Sequence, residues 1–330
     1  MRAAFSLASG RGTRACLSTL VFHRVLAEPD PIFPEQMYAE RFDQICSWLR
    51  EWFNVLPLDE AARRLAEGRL PTRALAITFD DGYGDNREQA APILRRYGLP
   101  CTFFITTGMI DGGLMWNDVV VESLRRTHLS RLDLTAVRAD LGAHDLGSAS
   151  ARRRAIEYIV GRVKYLEPPA RRSCVESVAK AAQVELPRDL MMSSQQVREL
   201  CSLGLQVGAH TVSHPILLNL TQAQARAEME DSRHHLEAIV RGPVKVFAYP
   251  NGKPGVDYAQ SHVELVREAG FEAAASTIWG VSTTCTDRFQ LRRFSPWDRT
   301  RTRFAWRMLT NMIRSAPGHD LRPASDGPAL

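Results

Sequence analysis

The sequence predicts an α/β fold with a parallel sheet, because buried strands and amphipathic helices alternate along the chain. Two apolar runs, at 74–79 and 101–107, have the composition of strands that are covered on both faces. A helix is predicted between them at 90–94. Upstream, apolar residues within 42–49 recur at the spacing of a helix that is packed on one side. This alternation is typical of parallel α/β proteins.

The segments before the first apolar run follow the same pattern. Residues 1–18 are predicted to be an N-terminal extension, because their basic start is followed by only a brief apolar patch, which is shorter than an export signal needs. A first strand is expected at 20–25, a short strand at 54–58 and a helix at 60–67.

The alternation stops between residues 112 and 190, which are rich in Arg, Leu, Ala and Glu and have helical periodicity at 118–126 and 151–166. We predict a helical insertion within one domain, 19–311, rather than a second domain. Residues 312–330 have the Gly, Pro, Ser and Asp content of a disordered tail. The later predicted helices are 194–200, 223–240 and 261–269, and the later predicted strands are 244–249 and 272–276.

Two adjacent acids, Asp80 and Asp81, follow the apolar run at 74–79 and precede two glycines, Gly82 and Gly84. The glycines allow a sharp turn at the carboxyl end of the strand, which is where sites assemble in barrels and open α/β folds. Neighbouring carboxylates repel, so their pKa values separate unless a cation neutralises one of them. On this stretch alone, a reactive turn and an ordinary Asp-Asp-Gly loop remain equally open.

His210 and His214 favour the reactive turn. They are four residues apart, so on a helical turn both imidazoles would project from one face and could share a metal ion. Two histidines and one carboxylate also form a facial ligand set that leaves positions open for water and substrate. The alternative is a coincidental pair of structural histidines.

These segments resemble motifs of the polysaccharide deacetylases, also called the NodB homology domain or carbohydrate esterase family four. The stretch Thr78-Phe79-Asp80-Asp81-Gly82-Tyr83 is similar to their first motif, and His210-Thr211-Val212-Ser213-His214-Pro215 is similar to their second. Residues 247–252 resemble the third motif, and Leu291-Arg292-Arg293-Phe294 resembles the strand that follows it. The resemblance extends from about residue 22 to about residue 296, with one long interruption.

The resemblance implies a distorted (β/α)7 barrel, open beside a metal ion. It implies that Asp81, His210 and His214 hold the ion, usually zinc in this family, although other divalent ions are used. Asp80 would be the general base that takes a proton from the metal-bound water, because a carboxylate that is not spent on the cation is free to act as a base. The metal would lower the pKa of this water and polarise the acetyl carbonyl.

The third motif would supply substrate and oxyanion contacts. Backbone N–H groups near Asn251 would stabilise the tetrahedral oxyanion, with Tyr249 and Pro250 beside the substrate. Trp116 begins the insertion, in a segment similar to one found in bacterial exopolysaccharide members. This tryptophan either stacks on a sugar ring or packs in the core.

The chain departs from the family pattern at two roles. The family's best-known third motif begins with an arginine that pairs with the base aspartate and has a tyrosine near its end, but Ala248 and Asn251 stand at these positions. Arg293 is the first candidate to replace it and Arg292 the second; the alternative is that both lie on a solvated surface. The late Leu-x-x-His motif, which supplies the usual general acid, is absent. His23 is the candidate substitute, and the alternative is a structural histidine.

Composition and cysteine spacing limit the possible partners and the cellular compartment. The formal net charge of +5 and the pI near 9.0 are weak signals for nucleic acid, because the arginines are spread along the chain. We expect no nucleic-acid partner. No stretch has the roughly 18 uninterrupted apolar residues of a membrane span. The six cysteines are dispersed without a Cys-x-x-Cys pair, which favours reduced thiols and a cytoplasmic location.

The resulting prediction is a metal-dependent deacetylase that removes the N-acetyl group from an amino sugar in a poly- or oligosaccharide or a glycoconjugate precursor. Zinc or another divalent ion is the expected cofactor. Two alternatives stay open. One is a related carbon-nitrogen hydrolase, such as a deformylase of a formamido sugar. The other is an inactive carbohydrate-binding relative, which the missing arginine and histidine motifs suggest.

Overall fold

The computed structural model describes residues 1–295 and 298–314. The strands in this part of the chain are β1 (Leu17–Phe22), β2 (Asn54–Val55), β3 (Ala74–Phe79), β4 (Thr102–Ile105), β5 (Arg131–Asp133), β6 (Ala143–Asp145), β7 (Gln206–Ala209), β8 (Val246–Ala248) and β9 (Ala273–Ala275). The helices are α1 (Arg2–Ala8), α2 (Ala39–Trp52), α3 (Leu58–Ala66), α4 (Ala91–Arg96), α5 (Trp116–Arg126), α6 (Ala149–Val163), α7 (Pro168–Ala181), α8 (Ser194–Ser202), α9 (Gln222–Val240), α10 (Gln260–Glu268) and α11 (Arg301–Arg314).

The main sheet has seven strands, all paired in parallel, in the order β1-β3-β4-β7-β8-β9, with β2 beside the start of β3. Residues 291–294, predicted to be a strand, form only single bridges. Leu291 bridges Ala275 at one edge of the sheet, and Phe294 bridges Leu20 at the other. This segment links the two edges, so the sheet curls into a distorted barrel. The predicted barrel fold is therefore confirmed.

Side-chain alternation at the carboxyl ends of β1, β3 and β4 separates the outer core from the barrel interior. Phe22, Phe79 and Phe103 are paired across these strands and stack with ring centroids 5.2 and 5.1 Å apart. Phe42 of α2 packs on the first two rings, so this row faces outward. Because successive residues of a strand point to opposite faces, Asp80 is directed into the barrel.

Gly208 of β7 makes room for the large side chains inside the barrel. A Cβ atom there would lie 2.6 Å from the Phe104 ring and 2.9 Å from Val246. We expect Gly208→Ala to lower the free energy of unfolding by roughly 1–3 kcal/mol, because an extra methyl group in a packed core forces its neighbours apart. Chemical denaturation of the purified variant measures this loss.

Gly161 is the matched control for this prediction. It lies in α6, is exposed, and a Cβ atom there would meet nothing within 4 Å. Gly161→Ala is therefore expected to be neutral or to stabilise the protein by up to about 1 kcal/mol, through helix propensity. A Gly208→Ala variant as stable as the Gly161→Ala variant would contradict the packing argument.

The predicted insertion, 112–190, contains helices α5, α6 and α7 and also an antiparallel hairpin of β5 and β6. Each strand of the hairpin has three residues, which is too short to leave a periodic pattern in the sequence. The helices enclose an apolar cluster, which includes Val120, Ile156 and Val178. Ile32 and Phe33, from the loop after β1, belong to the same cluster, so the insertion shares a small core with that loop beside the barrel.

The two ends of the described chain pack together. Within the predicted extension 1–18, Phe5 of α1 is buried against Trp52 and Phe53. Residues 312–314 of the predicted tail belong to helix α11, which packs on α1, and the rest of that tail lies outside the described residues. No described helix is both long enough and apolar enough to cross a membrane.

Candidate active site

The candidate site lies at the carboxyl ends of the parallel strands. Asp80 and Asp81 directly follow β3, and His210 directly follows β7. Arg293 comes from the segment that closes the barrel. Parallel strands bring their carboxyl ends to one edge, so residues separated by more than 200 positions meet there.

The turn after β3 depends on unusual backbone angles. Asp81 has a φ of +76° and Gly82 a φ of +91°. A Cβ atom on Gly82 would also approach the Ile105 side chain at 3.2 Å, so this position favours glycine on both grounds. The backbone N–H of Thr106 donates to the carbonyl oxygen of Asp81, 3.2 Å away, and holds the turn against the end of β4.

The two histidines do not lie on a helical turn, so that part of the prediction is wrong. The segment after β7 is a loop in which Thr211 and His214 have φ values of +66° and +54°. These left-handed residues fold the loop back, and the two imidazole centroids come within 4.9 Å of each other. The backbone N–H of His214 donates to Oγ1 of Thr211 at 3.1 Å, which closes the turn.

Glu228 of α9 holds this loop from outside. Its carboxylate accepts hydrogen bonds from the backbone N–H groups of Val212, at 2.7 Å, and Ser213, at 2.9 Å. It also accepts one from the Ser213 hydroxyl at 2.6 Å. Sequence analysis did not identify Glu228, because nothing in the local pattern of α9 distinguishes it from the other helix-surface acids.

Asp81, His210 and His214 converge in a way that suits a metal ion. Oδ1 of Asp81 lies 3.5 Å from Nε2 of each histidine, and the three ligand atoms lie within 4.8 Å of one another. Ligands held about 2.1 Å from one tetrahedral zinc ion are roughly 3.4 Å apart. Nδ1 of His210 lies 2.8 Å from the Ala248 carbonyl oxygen; when it donates there, Nε2 is left with the free lone pair.

One ligand atom at this centre also lacks a hydrogen-bond partner. Oδ1 of Asp81 is buried and accepts no hydrogen bond from the described residues. A buried carboxylate oxygen without a partner is costly, and a cation would remove that cost. The residues present therefore fit a divalent ion held by one carboxylate and two imidazoles.

Burial and neighbouring charges shift the pKa values of these three side chains in different directions. Burial lowers the pKa of His214 to about 4, so this imidazole is neutral near pH 7, as a metal ligand must be. Burial would raise the pKa of Asp81, but His210, His23 and His214 outweigh it and hold that pKa well below its usual value. For His210, burial is outweighed by Asp81 and Asp80, which raise its pKa.

Arg293, and not Arg292, is the arginine that reaches Asp80. Its Nη1 and Nη2 atoms donate to the two carboxylate oxygens at 2.6 and 2.8 Å, and its side chain is 1% exposed. The guanidinium also donates to the Ser276 carbonyl and to the Thr78 hydroxyl. Burial would raise the pKa of Asp80, but the charge of Arg293 outweighs it and holds the carboxylate ionised.

His23 lies exposed at the rim, on the loop after β1, and its charge acts on both Asp80 and Asp81. The loop is held at its backbone. Nδ2 of Asn86 donates to the His23 carbonyl at 2.8 Å, and Asp85 accepts from the Val25 N–H at 3.0 Å. The imidazole is therefore accessible, while the chain that carries it is fixed.

Of the three third-motif residues predicted to contact the substrate, Tyr249 and Pro250 are buried and only Asn251 is exposed. Tyr249 is buried, its hydroxyl donates to the Phe289 carbonyl at 3.0 Å, and its backbone N–H donates to Ala275 at 3.1 Å. The Tyr249 side chain and N–H are therefore not free for a substrate, and the prediction that they contact one is wrong. Pro250 is buried and has no N–H to donate. Asn251 is exposed, with a φ of +58°, and remains the candidate oxyanion residue of this motif.

Trp116 lies in the insertion, half-buried against its apolar cluster. The Arg171 guanidinium covers one face of the indole, 4.9 Å from its centroid. This placement supports the packing alternative for Trp116 rather than sugar stacking.

Sequence analysis did not identify Trp279. This tryptophan is 41% exposed, packs against Phe294 and follows β9 at the carboxyl side of the barrel.

A second buried polar network joins the insertion to the turn after β3. The Tyr83 hydroxyl donates to the Asp118 carboxyl group of α5 at 3.0 Å, and both side chains are buried. The Arg24 guanidinium lies over the Tyr83 ring and donates to Asp85 at 2.8 Å. Burial raises the pKa of Asp118 to about 7, with Arg24 opposing the shift and Asp81 adding to it.

This shift predicts a pH dependence of stability. An unfolded aspartate ionises near pH 4, whereas folded Asp118 keeps its proton up to about pH 7, so unfolding in this interval releases a proton. The free energy of unfolding is therefore expected to fall by roughly 2–4 kcal/mol between pH 4 and pH 7 on account of this group. Asp118→Asn removes that fall, and the variant should exceed wild type in stability at pH 8.

Denaturation at pH 4 and pH 8 measures the effect. Asp231→Asn, at an exposed position of α9, is the control and should follow wild type at both values. Identical pH slopes for wild type and Asp118→Asn would contradict the assignment of a buried neutral acid.

Comparison with known proteins agrees with this fold. Residues 67–274 match the family model described as polysaccharide deacetylase, and this is more than half of the 330 residues. The chain therefore belongs to the polysaccharide deacetylase family.

Individual relatives have low sequence identity to this chain, but they align over most of its length. YxkH of Bacillus subtilis (strain 168), whose name assigns it to the polysaccharide deacetylases, is 19% identical over 281 residues, covering 84% of this chain and 71% of that protein. The Streptococcus pyogenes deacetylase PplD, solved in complex with acetate, has a TM-score of 0.57 at 18% identity and covers 86% of this chain and 93% of its own. IcaB from Ammonifex degensii has a TM-score of 0.56 at 19% identity, over 92% and 98%. These structures support the fold.

Proposed function

We propose that this protein is a metal-dependent deacetylase that hydrolyses the N-acetyl group of an amino sugar, releasing acetate and a free amine. The supporting observation is the close placement of two different carboxylates. Asp81 faces His210 and His214, whereas Asp80 is paired with Arg293. One carboxylate is thus available to a cation and its neighbour to a proton, which is the division of roles that amide hydrolysis needs.

Asp81, His210 and His214 would hold the divalent ion, for which zinc is our first choice. When bound, the ion supplies Lewis-acid chemistry to the acetyl carbonyl and lowers the pKa of the attacking water. The chain has to orient these ligands before the ion arrives. His210 is oriented by its contact with the Ala248 carbonyl oxygen. The loop that carries both histidines is held by hydrogen bonds to Glu228.

Asp80 would accept the proton of the attacking water. Its bidentate pair with Arg293 orients the carboxylate and keeps it ionised, so that it is ready to accept. The backbone N–H of Asn251 would donate to the developing oxyanion, since this left-handed, exposed residue stands at the carboxyl end of β8. Trp279 offers an exposed indole on which a sugar ring could stack.

His23 would donate the proton that the departing amine requires. We expect His23→Gln to lower kcat for acetate release about 100-fold, because general acid catalysis supplies this order of rate, and to leave metal content unchanged. His234→Gln, an exposed histidine on α9, is the control and should keep wild-type kcat. Wild-type kcat in the His23→Gln variant would remove His23 from the reaction.

Metal content and acetate release, measured on the same preparation, test the proposal. Wild type should hold about one divalent ion per chain and release acetate from N-acetylglucosamine oligomers. His210→Ala should lose both. Release of formate from a formamido sugar, without release of acetate from the oligomers, would show that the deformylase alternative is correct. Oligomer binding without hydrolysis, in metal-loaded protein, would favour the inactive carbohydrate-binding alternative.

We also propose a cytoplasmic location. The six cysteines are unpaired, and Cys16, Cys46 and Cys101 are buried. Unpaired thiols suit a reducing compartment, which supports the expectation from their spacing. Fractionation of cells that express the chain, with alkylation of exposed Cys285 before lysis as the readout, tests this location.

A further inference from the structure

Exposed apolar side chains are concentrated on two helices at one place on the surface. Among the described residues, nine large apolar side chains are exposed, and four of them belong to residues 1–8 and 301–314. They are Met1, Leu7, Trp306 and Ile313. Helices α1 and α11 pack against each other. We call the exposed surface of this helix pair, with Met1 at its start, the α1/α11 face.

Helix α11 has two apolar sides. Phe304 and Met308, four residues apart, are buried in the core. Trp306 and Ile313, seven residues apart, lie on the opposite side and are 67% and 52% exposed. Leu7 of α1 is 86% exposed. Helices of globular proteins normally present polar residues to water, so an outward tryptophan and isoleucine on one helix indicate a contact surface.

The charges of this face have a single sign. Helix α11 contains four arginines and no acid, and α1 contains Arg2 and no acid. Two acids outside these helices are paired with arginines of α11, Glu51 with Arg301 and Asp298 with Arg307. Arg2 and Arg303 are exposed and take part in no ion pair within the described chain. The face therefore combines exposed apolar side chains with basic ones, and neither helix contributes an acid.

We propose that the α1/α11 face binds the surface of an anionic lipid bilayer. Tryptophan favours the headgroup region, leucine and isoleucine enter the acyl boundary, and arginine pairs with lipid phosphates. Anionic headgroups also complement the sign of the charge. With 14 residues and four arginines, α11 is suited to lie along the interface. A second copy is a poor occupant, because a two-fold interface would place like arginines together.

Vesicle co-sedimentation of the full chain tests the proposal. Wild type should bind vesicles of phosphatidylcholine with phosphatidylglycerol at least tenfold more tightly than vesicles of phosphatidylcholine alone. Trp306→Ser combined with Ile313→Ser should weaken binding at least tenfold, because the apolar anchors are lost. Arg303→Glu changes two charges and should weaken it about 25-fold, at about fivefold per charge.

Tyr165→Ser is the matched control, because Tyr165 is 81% exposed but lies on the insertion. It should bind like wild type. Thermal unfolding shows that each variant is folded, and surface substitutions of this kind should leave the melting temperature nearly unchanged.

Three results would overturn the proposal. Wild type could fail to sediment with either vesicle, or bind both equally, or lose as much binding through Tyr165→Ser as through the α1/α11 variants. If vesicles do not bind wild type, and light scattering shows a dimer that Trp306→Ser dissociates, the face is an interface between copies instead.

Discussion

Asp80→Asn is expected to lower kcat for acetate release by about 1,000-fold, while the protein retains its metal ion. The amide cannot accept the proton of the attacking water, and general base catalysis is worth this order of rate. Metal retention follows from the geometry, because the three ligand atoms belong to Asp81, His210 and His214. The asparagine oxygen still accepts one hydrogen bond from Arg293, but the buried guanidinium loses its anion, so we expect a stability loss of roughly 3–5 kcal/mol and the variant is assayed after its folding is verified.

Single-turnover kinetics and metal analysis of the same sample measure both outcomes. Asp231→Asn, the exposed substitution on α9, is the control and should keep activity and metal. If Asp80→Asn loses its metal together with its activity, Asp80 is a ligand and not the base. If it keeps both, the proposed mechanism fails.

Arg293→Met is expected to lower the free energy of unfolding by roughly 3–5 kcal/mol, because it leaves the Asp80 carboxylate buried without its cation. Two hydrogen bonds to that carboxylate and those to Ser276 and Thr78 are lost as well. Without the guanidinium, the largest charge that opposes the effect of burial is lost, so the pKa of Asp80 rises and the base becomes harder to ionise.

Arg292→Met is the matched control, one residue away. Arg292 is half-buried and makes no side-chain contact with Asp80, so its loss should cost less than about 1 kcal/mol. Chemical denaturation of the two variants compares them directly. Equal losses would show that the Asp80–Arg293 pair contributes no special stability, and the base would then need another explanation for its ionised state.

Much of the framework was predictable because it rests on local patterns. The apolar runs ending at Phe79 and near Ile105 correspond to β3 and β4, since a strand buried on both faces needs continuous apolar residues. The acids and histidines that follow such strands were predictable as a site for the same reason. The carboxyl ends of parallel strands lie together whichever residues they carry.

Contacts between distant segments were not predictable in the same way. Two arginines remained open as partners of Asp80, because the choice depends on which side of a barrel-closing segment faces inward. Tyr249 appeared suitable for substrate contact, yet side-chain alternation in this barrel directs it into the core. The spacing of His210 and His214 suggested a helix, whereas two left-handed residues produce the same convergence in a loop.

By itself, the sequence determined the α/β class, the strand ends that carry acids and histidines, and the resemblance to the deacetylase family. Tertiary structure alone decided that Arg293 pairs with Asp80, that Glu228 holds the histidine loop, and that residues 291–294 join the two edges of the sheet. The physical reason is the separation along the sequence over which each effect acts. Strand and turn preferences act over a few residues, but the pairing of charges 213 positions apart is set by how the whole sheet closes.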